Sequence, residues 1–233
     1  MFKNDCILLL QSDIMCADTN TCAKRAPQQS EVLPMRILFT GFEPFGGENV
    51  NPAWEAVERL PDQIGTAQII KRRLPVEFQS VGRLMQAELD GIRPDVVICV
   101  GQAGGRSGIS IERVAINLDD TTAPDNAGYA PVDQPIRRGA PAAYFSTLPI
   151  KVLIRALSDA GIPAHISNSA GTYVCNHLMY SVLDYFSVRM MDNRAGFIHV
   201  PYMTSQCADK PDTPCMELDE IVRALDVVVR ALN

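Results

Sequence analysis

From Met35 onward, apolar residues recur in two rhythms: short unbroken runs, and stretches in which they fall three or four apart. Short runs bounded by Gly or Pro read as buried strands, and the wider spacing reads as amphipathic helix. Arg36–Gly41 is the first such run, and a Gly- and Pro-rich loop, Phe42–Val50, follows it. Asn51-Pro52 then predicts a helix start, with Asn as N-cap and Pro at the first helical position. That helix carries Trp54, Ala56, Val57 and Leu60. Thr66–Leu74 predicts a second strand stopped by Pro75, and Ser80–Leu89 an amphipathic helix. Asp95–Val100 reads as a strand covered on both faces. Ile109–Leu118 reads as one further strand, carrying Glu112. Residues 119–140 are rich in Asp, Asn, Pro and Gly; a loop of that length is a lid, a binding element or a mobile segment. Pro149–Ala160 predicts a helix, Ala164–Asn168 a strand, Leu178–Phe186 a helix, Phe197–Tyr202 a strand, and Met216–Leu232 a final amphipathic helix. Strands alternating with helices predict an α/β fold with a largely parallel sheet, whose working residues gather at strand carboxyl ends.

Residues 1–34 do not share this rhythm. The run Cys6–Leu10 is too short for the apolar part of a signal peptide, and Asp5 and Asp13 flank it closely. The segment reads as a weakly ordered extension or as translation from an upstream start, with a cleaved targeting segment as a third option. The catalytic domain is then 35–233. Net charge is −6, which leaves no electrostatic footprint for nucleic acid or for an anionic membrane surface. Seven cysteines, an odd number with no CxxC pair, argue against a disulfide framework and for a reducing compartment. None of the three histidines pairs with another His, Cys or carboxylate in a zinc-binding pattern, so no metal site is expected.

Ser169–Leu178 reads as strand exit, turn and helix entry, with Cys175 at the entry. A thiol on the first turn of a helix meets unpaired backbone N–H groups and the positive end of the macrodipole, both of which favour the nucleophilic thiolate. A nucleophilic cysteine needs a base within hydrogen-bond reach and a third group to orient that base. His165 lies inside a strand and suits a structural role, while His177 points round the helix from Cys175. His199 lies near the carboxyl end of its own strand, level with the Cys175 turn, and is the favoured base. Glu112 stands in an apolar frame, either as the orienting carboxylate or in a structural ion pair with Arg113. The loops Gly41–Gly47 and Gly101–Gly105 match neither a Walker A nor a dinucleotide fingerprint, and suit close backbone approach to a small substrate. Phe42 and Phe45 are either pocket walls or core.

These stretches together resemble the pyroglutamyl peptidase I (pyrrolidone carboxyl peptidase) family of cysteine peptidases. The segments that carry the resemblance are Thr40–Gly47 with Asn51-Pro52, Gly101–Arg106, Glu112–Asn117, Gly171–His177 and Phe197–Pro201. The resemblance implies a three-layer α/β/α sandwich around a twisted, mostly parallel sheet of the phosphorylase/hydrolase-like kind. It implies removal of an N-terminal pyroglutamyl residue from peptides, no cofactor, a cytoplasmic location and a homo-oligomer, often a homotetramer. The family's Cys–His–Glu triad falls on Cys175, His199 and Glu112. Its pocket falls on Phe42 and Phe45 as walls, with Asn51 and the Gln102 backbone binding the lactam. Many relatives carry an arginine that assists near the oxyanion where this chain has Thr122. A different reading is a nucleoside-phosphorylase-like transferase, which needs no cysteine and whose activity should survive a thiol alkylator. A third is a binding module without catalysis.

Overall fold

In the computed structural model, residues 34–232 are described; the expectation for residues 1–34 lies outside them but for Pro34. Strand β1 (Arg36–Phe42) is buried along all but its first residue and lies near the middle of the sheet. The chain then forms α1 (Pro52–Arg59), β2 (Gln63–Ile64), β3 (Ala67–Leu74), α2 (Phe78–Ile92) and β4 (Val96–Gln102). Next come β5 (Ile109–Glu112), β6 (Val114–Ile116), β7 (Ala143–Phe145), α3 (Ile150–Asp159) and β8 (Ala164–Ser167). The last part holds α4 (Val174–Val188), β9 (Arg194–Val200), β10 (Tyr202–Met203), β11 (Cys215–Met216) and α5 (Leu218–Leu232).

Seven strands form the main sheet in the order β2-β3-β1-β4-β9-β5-β8. One apolar layer joins α1, α3 and α5 to one face, through Val57, Leu153 and Leu225 among others. The second joins α2 and α4 to the opposite face, through Met85, Leu178 and Phe197. The α/β/α expectation holds. Each fully buried Leu, Ile or Phe in these layers contributes about 1.5–3 kcal/mol relative to an exposed one.

Local chemistry explains most element ends. Asn51 caps α1 by accepting a hydrogen bond from Ala53 N at 3.1 Å, and Pro52 opens the helix. Helix α2 begins earlier than the periodicity predicts and runs further. Its first N–H, at Phe78, is satisfied by Asp125 Oδ2 at 2.9 Å, a partner supplied by a distant loop. It stops where Arg93 turns left-handed (φ 52°) before Pro94.

One expectation needs correction. The predicted strand Ile109–Leu118 is two strands in two sheets. At Arg113 the N–H still bonds Ser167 O (2.8 Å), but the carbonyl accepts from Ser146 N (2.8 Å), so the chain peels away to pair with β7. The mostly parallel sheet is as expected: β3, β1, β4 and β9 run parallel and β5 pairs parallel with β8, while β5 is antiparallel to β9 and β2 to β3. The long loop 119–140 is pinned rather than free. Asp119 pairs with Gln134, and Asp125 accepts from Phe78, Ala127 and Tyr129 N–H groups. Among the described residues no helix is long and apolar enough to cross a membrane.

Candidate active site

The register of three strands sets the site. In the parallel β4–β9 pair Gly101 is opposite His199, so their Cα–Cβ directions share a face. A Cβ on Gly101 would lie 2.9 Å from Cys175 Sγ and 2.7 Å from the Phe197 ring, so the sulfur rests on the bare backbone of Gly101. In the antiparallel β5–β9 pair Ser110 is opposite His199, which makes Glu112 its diagonal neighbour on the same face. Glu112 Oε1 and His199 Nδ1 are 2.7 Å apart. The side chains of 175, 199 and 112 are thus gathered on one face of the sheet, the face covered by α2 and α4. The antiparallel turn of β5, which alternation of apolar residues could not reveal, brings Glu112 there.

Cys175 lies on the first turn of α4, as its position at a helix entry predicts. That turn is held by its neighbours. Asn176, fully buried, accepts from Ile116 N (2.9 Å) and donates to the carbonyls of Ile116 (2.9 Å) and Leu118 (3.0 Å). His177 Nδ1 bonds Asp119 Oδ2 at 2.8 Å, and its ring meets Phe78 edge-on. His165 Nε2 bonds Ser110 Oγ at 3.0 Å on the edge strand β8. Both histidines therefore have the local roles expected of them. Asn176 was not singled out by sequence reasoning, although a carboxamide directly after a candidate nucleophile on an apolar helix face was a usable signal.

The electrostatics correct one expectation. Burial pushes the Cys175 thiol up to about 12, with Glu112 adding to it, while Arg106 and the backbone N–H at the helix start pull the other way. Desolvation outweighs the helix terminus, so the neutral thiol is the resting form. Burial likewise holds the His199 imidazole below its usual value, against the pull of Glu112. Burial also opposes the charge on Glu112, but the bond and charge of His199, with Ser167 and Arg106, hold the carboxyl below its usual range. The ion-pair partner of Glu112 is Arg106 at 2.7 Å and not its neighbour Arg113. Adjacent strand residues face opposite ways.

Beside the sulfur, Phe42, Phe45, Val76, Gln102, Tyr173, Val174 and Cys175 itself line a narrow apolar cavity of about 10 Å³. Phe45 and Tyr173 rings pack at 6.1 Å, and Tyr173 Oη donates to Pro124 O at 3.1 Å, tying the long loop to this wall. Phe42, Phe45 and Gln102 are therefore brought together. Asn51 is not among the lining residues. It is engaged by α1 and by the Glu43 carbonyl at 3.0 Å, so it holds the shape of the Phe42–Phe45 loop. Thr122 is exposed in the long loop. Val76 and Tyr173 are additions to the wall. Among the described residues no group of three or more His, Cys, Asp or Glu is placed to hold a metal ion.

A thiol at a helix entry, set over a strand end beside a His–Glu pair, is the layout of an α/β hydrolase of cysteine type. Comparison with known proteins narrows this class. The family described as pyroglutamyl peptidase (Peptidase_C15) matches residues 35–233, and the chain belongs to it. A pyrrolidone-carboxylate peptidase of Thermococcus onnurineus is 56% identical over 84% of this chain and 98% of its own length. That of Thermococcus kodakarensis is 52% identical over 84% and 95%. Among solved structures, pyroglutamyl peptidase I from Bacillus amyloliquefaciens superposes with a TM-score of 0.82 at 44% identity, covering 85% of this chain and 94% of that one. A mutant pyrrolidone carboxyl peptidase from Pyrococcus furiosus gives 0.82 at 46% identity, covering 85% and 98%. The match leaves the transferase reading without support.

Proposed function

We propose that Cys175, His199 and Glu112 are the machinery with which this chain removes an N-terminal pyroglutamyl residue from peptides. The observation that carries the reading is the 2.7 Å bond between Glu112 and His199, next to a sulfur seated on Gly101, the register partner of His199. Glu112 accepts from Nδ1, which fixes the tautomer with Nε2 free to accept the thiol proton. Because the thiol is neutral at rest, proton transfer accompanies attack. The sulfur adds to the pyroglutamyl carbonyl as His199 takes the proton. Backbone N–H groups on the first turn of α4 stabilise the oxyanion, a contribution of about 3 kcal/mol per donor. The imidazolium then protonates the leaving amine, and water, activated by His199, releases pyroglutamate from the thioester.

The lactam ring carries no charged amine, and the Phe42–Phe45–Tyr173 walls match it in chemistry: they are apolar, the Gln102 backbone supplies polar contact, and they part to admit the ring. Asn51 contributes by shaping the loop. Two further readings accompany this one. Exposure of Val132 (65%) and Phe145 (70%) supports assembly with other copies of the chain, up to a homotetramer. The free thiols of Cys99, Cys175, Cys207 and Cys215 support a reducing, cytoplasmic setting. The test of the triad is release of a fluorogenic amine from its pyroglutamyl amide. Cys175→Ser and prior alkylation should each abolish it with the fold retained; full activity after either refutes the assignment.

A further inference from the structure

Glu112 receives two donors on a single oxygen. His199 Nδ1 and Arg106 Nη1 each lie 2.7 Å from Oε1. The carboxylate is wholly buried, whereas the Arg106 side chain is 29% exposed, so the guanidinium reaches inward from the rim. The turn that delivers it is built for close approach. Gly104 lies against the Tyr202 ring with no room for a Cβ, and Gly105 takes φ +83°. A buried carboxylate without a cationic partner is costly. During the proposed cycle His199 is cationic only while it holds the proton taken from the thiol or from the attacking water, and it is neutral at the start of each half. Arg106 is the cation that remains in place throughout.

Building on the triad reading above, we propose that Arg106 is a positioning residue of the reaction: it keeps Glu112 ionised and in one rotamer while His199 is neutral, and so holds the Nδ1–H tautomer ready for the thiol proton. Around His199 the charged and titratable groups are Glu112 from β5, Arg106 from the β4–β5 turn and Cys175 from α4. The Arg106 charge acts on His199 and Cys175 as well as on Glu112, pulling the imidazole and the thiol toward lower values. Without the guanidinium, the carboxylate acts on His199 alone. The imidazole then holds its proton to higher pH, and the acid limb of kcat/KM moves up with it.

The test is the pH profile of kcat/KM for a pyroglutamyl fluorogenic amide with Arg106→Gln and Arg106→Lys. Arg106→Gln should lower kcat by about tenfold with KM little changed, and move the acid limb upward by about one pH unit. Arg106→Lys, which keeps the charge, should recover most of kcat and hold the limb in place. A uniform loss at every pH with the limb unmoved, or no loss at all, overturns the proposal. If Arg106→Gln does not fold, Arg106→Lys still decides: a displaced limb in that variant contradicts the account. Failure of the triad reading shows separately, as undiminished turnover in Cys175→Ser.

Discussion

Asn176 grips the backbone of Ile116 from both sides, accepting from its N–H and donating to its carbonyl, each at 2.9 Å. The residue after the candidate nucleophile is thereby bonded to the strand that follows the candidate acid. Asn176→Ala leaves the part-buried Ile116 N–H of β6 without its acceptor, at a cost of about 1–3 kcal/mol. It also frees the first turn of α4, so activity should fall about tenfold or more, since small displacements of a reacting atom are costly. Urea denaturation and steady-state kinetics check both; a stable, fully active variant would contradict the role.

Gly101 is required by space and not by backbone angle. An alanine methyl would meet the Phe197 ring at 2.7 Å and Cys175 Sγ at 2.9 Å. Gly101→Ala should lose about 1–3 kcal/mol through overpacking. Displacement of the sulfur should reduce kcat about a hundredfold. Wild-type kcat in this variant would show that the sulfur does not work from its seat on Gly101.

Phe45 and Asn51 should separate in kinetics. Phe45→Ala removes part of the cavity wall and should raise KM about tenfold, the equivalent of one buried apolar contact area, with stability little changed. Asn51→Ala removes the α1 cap and should cost about 1 kcal/mol of stability. Its effect on KM should be the smaller one. The reverse order of KM effects would make Asn51 a direct substrate ligand.

Stability should fall as the solution is acidified. The folded His199 resists protonation, while the unfolded chain takes up that proton near 6.5, so its contribution is present above 6.5 and is lost as pH falls toward the depressed folded value. The folded Glu112 stays ionised below the ordinary 4.5, so its contribution is lost at still lower pH, in the same direction. Urea midpoints across this range should decline in both windows. Glu112→Gln should remove the lower one. A flat profile through 6.5 would mean that His199 is not held neutral.

Much of this was legible in the sequence because it is local. The strand at Arg36, the Asn51-Pro52 helix start and the helix entry at Cys175 are each written in consecutive residues. What was not legible depends on distant partners. Strand β5 ends at Glu112 because Arg113 gives its N–H to Ser167 but takes Ser146 N on its carbonyl, and neither partner lies near it in sequence. The antiparallel setting of β5, which places Glu112 beside His199, leaves no trace in hydrophobic alternation. Arg106 was visible as the end of a glycine turn, but its reach to Glu112 exists only in three dimensions. The thiol followed the same rule: the helix terminus was readable, while the desolvation that outweighs it is a property of packing.

The most direct measurement is mass spectrometry of the acid-quenched reaction with a pyroglutamyl amide, followed by peptide mapping. A pyroglutamyl adduct should appear on the peptide that contains Cys175, on that sulfur alone, and should fail to form when His199 is replaced by Ala, because the neutral thiol then has no base. Turnover that proceeds with no adduct on Cys175 at any time, and persists in Cys175→Ala, would contradict the account.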